Sequence, residues 1–325
     1  MTTSEPPCSE DICLFPSEDV RDVHETYVDG ELLTASRIQV GPHSMKLYLA
    51  KHVADLLDPD DLGLRLWPGT HAMAYLLLKL GQSDQSDQSD PDSDCVDRGS
   101  FRSFRSFRDR SVLDVGCGTG FVGLLAHLTG ARRVVLSDRP GRALELARLN
   151  AASAASAANS AAEVGGEAVE AVEAVEVKAL SWGKDAVDET QGEVFDVLLL
   201  SEVLYVAQPS CVPWTLDDAD LLSLAEMTKA KLSAEGHAWV TYGNREAGGG
   251  EQFQRAAEAV GLHFEEIPLE GIIPGEVLER SGAALRRVRI FHLQHARGML
   301  SSHMAPKSSS ERGHTHFQNP FRFRF

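Results

Sequence analysis

The chain of 325 residues has no run of 18 consecutive apolar residues, so it offers no candidate transmembrane helix. Its start, Met1 to Asp11, is acidic and lacks the apolar core of a secretory signal. The expected location is therefore the cytoplasm, with the nucleus left open. Cysteine is sparse. The five residues at positions 8, 13, 95, 117 and 211 show no paired zinc spacing and leave an odd count. That predicts free thiols in a reducing compartment and no bound metal. Basic residues are also in deficit, 31 Lys and Arg against 48 Asp and Glu, for a net charge of −17. Such a surface repels phosphate, so neither nucleic acid nor a membrane is an expected partner. The deficit is steepest at the front, where residues 1–62 carry thirteen acidic and four basic side chains. This serves solubility, or draws in a basic protein.

What is present is an ordinary globular mixture, 43% hydrophobic and 24% charged. Residues 1–30 read as an unordered acidic segment, and 31–57 as short strands or turns within an N-terminal segment spanning 31–80. Leu66-Trp67-Pro68-Gly69-Thr70 leads into an apolar helix at His71–Leu80, with Thr70 as candidate N-cap. Residues 81–110 read as a low-complexity insertion, because Gln82–Asp90 repeats Gln-Ser-Asp and Phe101–Arg108 repeats Phe-Arg-Ser. From Ser111 the pattern alternates strand and helix. Strands are expected at 111–115, 132–138, 177–180, 195–201, 237–242, 263–267 and 287–293. Helices are expected at 120–129, 142–150, 218–232 and 252–260. The fold class predicted is α/β, a doubly wound, mostly parallel, seven-stranded Rossmann-like sheet with helices on both faces and an antiparallel edge. This domain spans 111–295. Its alanine-rich stretch 151–175 is either an extended helix end or an insertion, and 296–325 reads as a loose tail.

The strongest local signal is Asp114-Val115-Gly116-Cys117-Gly118-Thr119-Gly120, directly after a strand and opening a helix. Glycines there allow a tight turn and let backbone N–H groups approach a ligand. Asp138 follows 22 residues after Gly116, at the end of the second strand, where a carboxylate can accept both ribose hydroxyls of an adenine nucleoside. The spacing is Gly-x-Gly-x-Gly rather than the dinucleotide Gly-x-Gly-x-x-Gly, and an acidic residue stands at its head. In this form it resembles motif I of the class I S-adenosylmethionine-dependent methyltransferases, with a dehydrogenase as the weaker alternative.

Three further segments narrow the resemblance: Leu66-Trp67-Pro68 ahead of the turn, Leu180-Ser181-Trp182-Gly183 after the third strand, and Ser201-Glu202-Val203-Leu204-Tyr205 closing the fourth. Together they are similar to the family 16 seven-strand methyltransferases, mostly protein lysine methyltransferases, over roughly residues 62–270. The resemblance implies S-adenosylmethionine as cofactor. It implies that Trp67 closes over it, that Gly116, Cys117 and Gly118 line it, that Asp114 lies near its methionine end and that Asp138 holds the ribose. Trp182, with Leu180 and Ser181, would flank the adenine, and Ser201 would touch the cofactor. Glu202 and Tyr205 would face the substrate. The family usually has Asp where this chain has Glu202, which keeps the charge and reaches one methylene further.

The reaction implied is methyl transfer to a lysine of a non-histone protein, in a possible complex with that substrate or a chaperone. Such a nucleophile must first lose a proton, which at pH 7 costs about 4–5 kcal/mol. Histidine, arginine and small-molecule acceptors, and a non-catalytic adaptor retaining the fold, stay open at this point. Asn244 and Arg245, after the fifth strand, are further substrate candidates. Gly248-Gly249-Gly250 reads as a hinge, and Trp214 and Trp239 as core or interface.

Overall fold

The computed structural model describes residues 25–28, 31–50, 62–86, 106–163, 175–183, 186–204, 216–243 and 249–296. Tyr205, Trp214, Asn244 and Arg245 lie outside them.

Three strands come first: β1 (Glu25–Val28), β2 (Glu31–Val40) and β3 (His43–Ala50), an antiparallel meander. β1 falls inside the stretch read from sequence as unordered. Gly41 turns β2 into β3 at φ 57°, a conformation open to glycine. Helix α1 (Pro68–Ser86) begins with proline, whose missing N–H is no loss in a first turn. It runs further than the apolar pattern 71–80 predicts, into the Gln-Ser-Asp repeat.

The alternating half then follows: β4 (Ser111–Val115), α2 (Phe121–Leu128), β5 (Arg133–Asp138), α3 (Arg142–Glu163), β6 (Glu176–Ala179) and β7 (Phe195–Ser201). It continues with α4 (Asp218–Lys231), β8 (Leu232–Gly243), α5 (Gly249–Ala259), β9 (Leu262–Ile267), the short helices α6 (Gly275–Arg280) and α7 (Gly282–Arg286), and β10 (Val288–His295). The helix expected to stop at Asn150 thus runs on to Glu163, so part of the alanine-rich stretch is helix end. Gly249 and Gly250 open α5 instead of forming a hinge, and the Gly250 N–H donates to the Tyr242 hydroxyl at 3.1 Å.

The seven strands lie in the order β6-β5-β4-β7-β8-β10-β9. β4 through β8 are parallel, and β10 runs antiparallel between β8 and β9, so the expected antiparallel pair forms that edge. Side chains alternate across each strand, and the core divides accordingly. Val112, Val197, Leu199 and Trp239 point to the face covered by α1 and α2. Leu113, Leu198, Leu200 and Val240 point to the face covered by α4 and α5. Trp239 is thereby a core residue.

Within the stretch 81–110 read as an insertion, Phe107 is a core residue. It is 0% exposed and packs in the first cluster, while the neighbouring Arg108 bridges to Ala131. Two Phe-Arg-Ser triplets precede it, and the third unit, Phe107-Arg108-Asp109, departs from them just ahead of β4.

The chain leaves β4 toward β5 and β6 on one side, then returns to β7 on the other. The carboxyl ends of β4 and β7 therefore flank the point where strand order reverses, the usual crevice for ligands in such sheets.

Candidate functional site

The glycine turn occupies that crevice. Gly116, Gly118 and Gly120 have φ of 63°, 53° and 78°, all in the left-handed region. A Cβ on Gly116 would stand 2.7 Å from Val203 Cγ1, and one on Gly118 would stand 2.9 Å from the Gly63 carbonyl oxygen. Both positions thus require glycine for space as well as for conformation. The Cys117 N–H donates to the Ser137 carbonyl at 2.8 Å, and Gly120 N–H to the Cys117 carbonyl at 2.8 Å. Cys117 is buried, and burial with the charges of Asp138 and Asp114 pushes its thiol well above the usual range, so it stays protonated.

Asp114 lies at the end of β4, 1% exposed. Its Oδ2 accepts from the Gly123 N–H at 2.8 Å, but its Oδ1 has no hydrogen-bond partner among the described residues. Burial raises its pKa to about 7, the Gly123 N–H works against the rise, and the charge of Asp138 adds to it. Asp138 closes β5. Its Oδ2 accepts from the Gly118 N–H and its Oδ1 from the Arg139 N–H, each at 2.8 Å.

The end of α1 is fastened to β7 and β8. Thr241 Oγ1 donates to the Gly69 carbonyl at 2.8 Å, and the hydroxyls of Ser201, Thr70 and Thr241 lie within 3.3–3.4 Å of one another along the chain Thr70–Ser201–Thr241. Glu202 completes the clasp. Its backbone is left-handed at φ 59°, a strained state for a side-chain-bearing residue. Its Oε1 accepts from the Gly69 N–H at 2.6 Å, and its Oε2 from the Gly243 N–H at 3.1 Å. A carboxylate at a helix N-terminus meets unpaired N–H groups and the positive end of the helix dipole. Gly69 is glycine because a Cβ there would lie 2.6 Å from Oε1.

A cavity of about 30 Å³ joins these parts. Of the sequence candidates, Trp67, Asp114, Gly116, Cys117, Gly118, Ser201 and Glu202 line it. Asp138 stands behind the turn, bonded to Gly118. Trp182 abuts it, its Cη2 being 3.8 Å from a Cβ placed on Gly116. Leu180 N–H donates to the Asp138 carbonyl, and Ser181 pairs with the backbone of Val187. Trp67 Nε1–H donates to the Leu62 carbonyl at 2.8 Å, which folds residues 62–67 into a strap over the turn.

Sequence reasoning missed Arg65, Thr70, Phe121 and Val122 in the lining. The Arg65 guanidinium lies 5.5 Å from the Trp67 ring centre. The one signal was adjacency to Trp67 and to the glycine turn. It also missed the amides of Gly69 and Gly243, which backbone geometry alone provides. Among the described residues, no three His, Cys, Asp or Glu side chains are arranged to hold a metal, and no helix is long and apolar enough to cross a membrane.

Comparison with known proteins gives three findings. Residues 55–216 match the family model described as lysine methyltransferase. Ribosomal protein L11 methyltransferases of Burkholderia multivorans and Burkholderia ambifaria are 33% and 32% identical over 143 residues, 42% of this chain and 40% of theirs. The chain thus matches less than half the length of these curated relatives. Among solved structures, a ribosomal protein L11 methylase from Lactobacillus delbrueckii subsp. bulgaricus has a TM-score of 0.36 at 16% identity, over 58% of this chain and 70% of that one. A TehB-like S-adenosylmethionine-dependent methyltransferase from Corynebacterium glutamicum has a TM-score of 0.37 at 15% identity, over 72% and 90%.

Proposed function

Residues 55–216 place the chain with the class I, family 16 methyltransferases, whose cofactor is S-adenosylmethionine, and from that premise we propose that the protein is a protein-lysine N-methyltransferase. The observation that carries this reading is the family match, which spans the turn, Trp67, Trp182 and Glu202. The Burkholderia relatives are named for a ribosomal protein, which favours a protein acceptor over a small molecule.

The residues present suit the cofactor. Asp114 Oδ1 is a buried acceptor in the cavity with no partner among the described residues, and suits the ammonium of a methionine moiety. Asp138 would hold the ribose, Gly116–Gly118 would line the cofactor, and Trp182 would flank the adenine. Ser201 would touch it from β7. The Leu62–Trp67 strap lines the same cavity as the turn, so it would have to make room as the cofactor enters. S-adenosylmethionine supplies, when bound, an electrophilic methyl group on a cationic sulfur.

The work left to this chain is orientation and drying. Trp67, Phe121 and Val122 exclude water, and an apolar wall lowers the pKa of an incoming lysine toward its neutral, nucleophilic form. The lysine would arrive as an ammonium and give up its proton to solvent after docking and before attack. Glu202, at the cavity wall, would receive the ammonium through its negative charge as it docks. By the family resemblance Tyr205, which lies outside the described residues, would also face the substrate.

The test is incubation of the full chain with radiolabelled S-adenosylmethionine and cell extract, followed by mass mapping of the acceptor. Label on a lysine side chain is the expected result. Label on histidine, arginine or a small molecule would overturn the acceptor. Failure of S-adenosylhomocysteine to bind in calorimetry would overturn the cofactor as well and leave a non-catalytic adaptor.

A further inference from the structure

Asn150 is an odd residue for its place. It lies within α3 and is 0% exposed, although asparagine is a poor helix former and an unpartnered buried amide costs about 1–3 kcal/mol. An apolar side chain would fill the same space more cheaply. The structure shows where its polar atoms go. Oδ1 accepts from the Tyr48 N–H at 2.7 Å. Nδ2 donates to the Tyr48 carbonyl at 3.1 Å and to the Thr119 carbonyl at 2.8 Å. Both donors and the acceptor are engaged, with one partner strand in the meander and the other partner inside the glycine turn.

Thr119 sits between Gly118 and Gly120, both left-handed. A turn so rich in glycine has many conformations available, and each must be removed for a ligand site to be preformed. Its first half is held by Cys117 bonding to Ser137 and by Gly118 bonding to Asp138. The Thr119 carbonyl is held from the other side by Asn150, and Asn150 in turn is held by the backbone of β3.

We propose that Asn150 is a positioning residue for the cofactor turn, through which strand β3 of the N-terminal meander fixes Thr119 and so sets the affinity for S-adenosylmethionine. The meander is thereby part of the cofactor site without touching the cofactor. This inference needs the cofactor assignment but not the identity of the acceptor.

The test uses the full chain. Asn150→Ser and Asn150→Leu are compared with Leu262→Ala, a core change on the far edge strand β9. Thermal midpoint and affinity for S-adenosylhomocysteine are measured for each. All three lower the midpoint, but only the Asn150 variants weaken binding, by tenfold or more. In the unaltered protein, hydrogen exchange of the Tyr48 amide slows at least fivefold when S-adenosylhomocysteine binds. Binding by the Asn150 variants within twofold of the parent overturns the proposal. So does a Tyr48 amide indifferent to the ligand, and that measurement decides the matter if neither variant folds.

Discussion

Asp114 and Asp138 are two carboxylates on neighbouring strands with different surroundings, and each difference is measurable. Asp138 is half-buried and already serves the Gly118 N–H, so Asp138→Ala removes a turn anchor along with the proposed ribose contact. Hydrogen bonds to charged groups contribute about 1.5–3 kcal/mol each. S-adenosylhomocysteine should therefore bind Asp138→Ala at least tenfold more weakly, as read by calorimetry. Asp114, with its pKa raised to about 7, holds a proton through most of the acid range. An ammonium beside Oδ1 favours the ionised form, so binding at pH 6 should expel up to one proton. Titrations in buffers of different ionisation enthalpy count that proton. Release fading above pH 7, and absent in Asp114→Asn, is expected; equal release from that variant would remove Asp114 from the methionine end. Glu202→Gln keeps the shape but turns an –NH₂ toward a backbone N–H of Gly69 or Gly243, at a cost of about 1–3 kcal/mol. Turnover and acceptor affinity should both fall. A variant unchanged in both would show that Glu202 serves only the clasp.

At the scale of elements, α1 and the strap before it behave as one piece, because Glu202, Ser201 and Thr241 grip the start of α1 and Trp67 Nε1 grips Leu62. Movement of the strap should therefore be visible from Trp67. Adding S-adenosylhomocysteine should change tryptophan emission, and most of that change should vanish in Trp67→Phe. A variant with the full signal would place the strap outside the binding event. The strands of the sheet were legible in the sequence because short, nearly continuous apolar runs alternated with helical stretches, as in a parallel sheet buried on both faces, and Asp114, Gly116 and Gly118 were legible because glycine spacing has few other uses. Other parts left no comparable trace. The bonds of Glu202 go to backbone amides, which every residue has. The grip of Asn150 on Tyr48 and Thr119 joins positions 102 and 31 residues away, and no local pattern encodes such distances. Phe107 was masked by two look-alike triplets, and α3 was cut short because alanine and serine past Asn150 carry no apolar period.

For the whole molecule, the buried histidines decide how it meets acid. His237 on β8 and His292 on β10 lie side by side, Nδ1 to Nε2 at 2.9 Å, and His292 stacks on Trp239 with ring centres 4.2 Å apart. Two cations cannot share that contact. Burial lowers His237 to about 4, with the charge of Arg110 adding, and lowers His292 to about 3, with His237 and His263 adding. Burial also lowers His71 to about 4. Each is depressed below its ordinary value of 6.5, so as pH falls through 6.5 the unfolded chain takes up a proton that the folded chain refuses, and stability drops. Asp114 acts in the opposite sense, since its raised pKa lets the folded state keep a proton that the unfolded state loses above its ordinary value of 3.8. Near pH 5 these three histidines oppose one aspartate, a net uptake of about two protons on unfolding from these four groups, and His43 and His127, also lowered by burial, add in the histidines' direction. Linkage converts this to a loss of about 3 kcal/mol of stability per pH unit. The ion-paired carboxylates Glu176, Asp188 and Glu193, whose pKa values are lowered, join in the same direction only nearer pH 4. Thermal midpoints should therefore fall steeply from pH 6.5 to 5. His292→Phe keeps a ring against Trp239, removes one titrating group and separates His237 from its like-charged neighbour. It should flatten the slope by a third or more, and a variant as acid-labile as the parent would shift the cause to other groups.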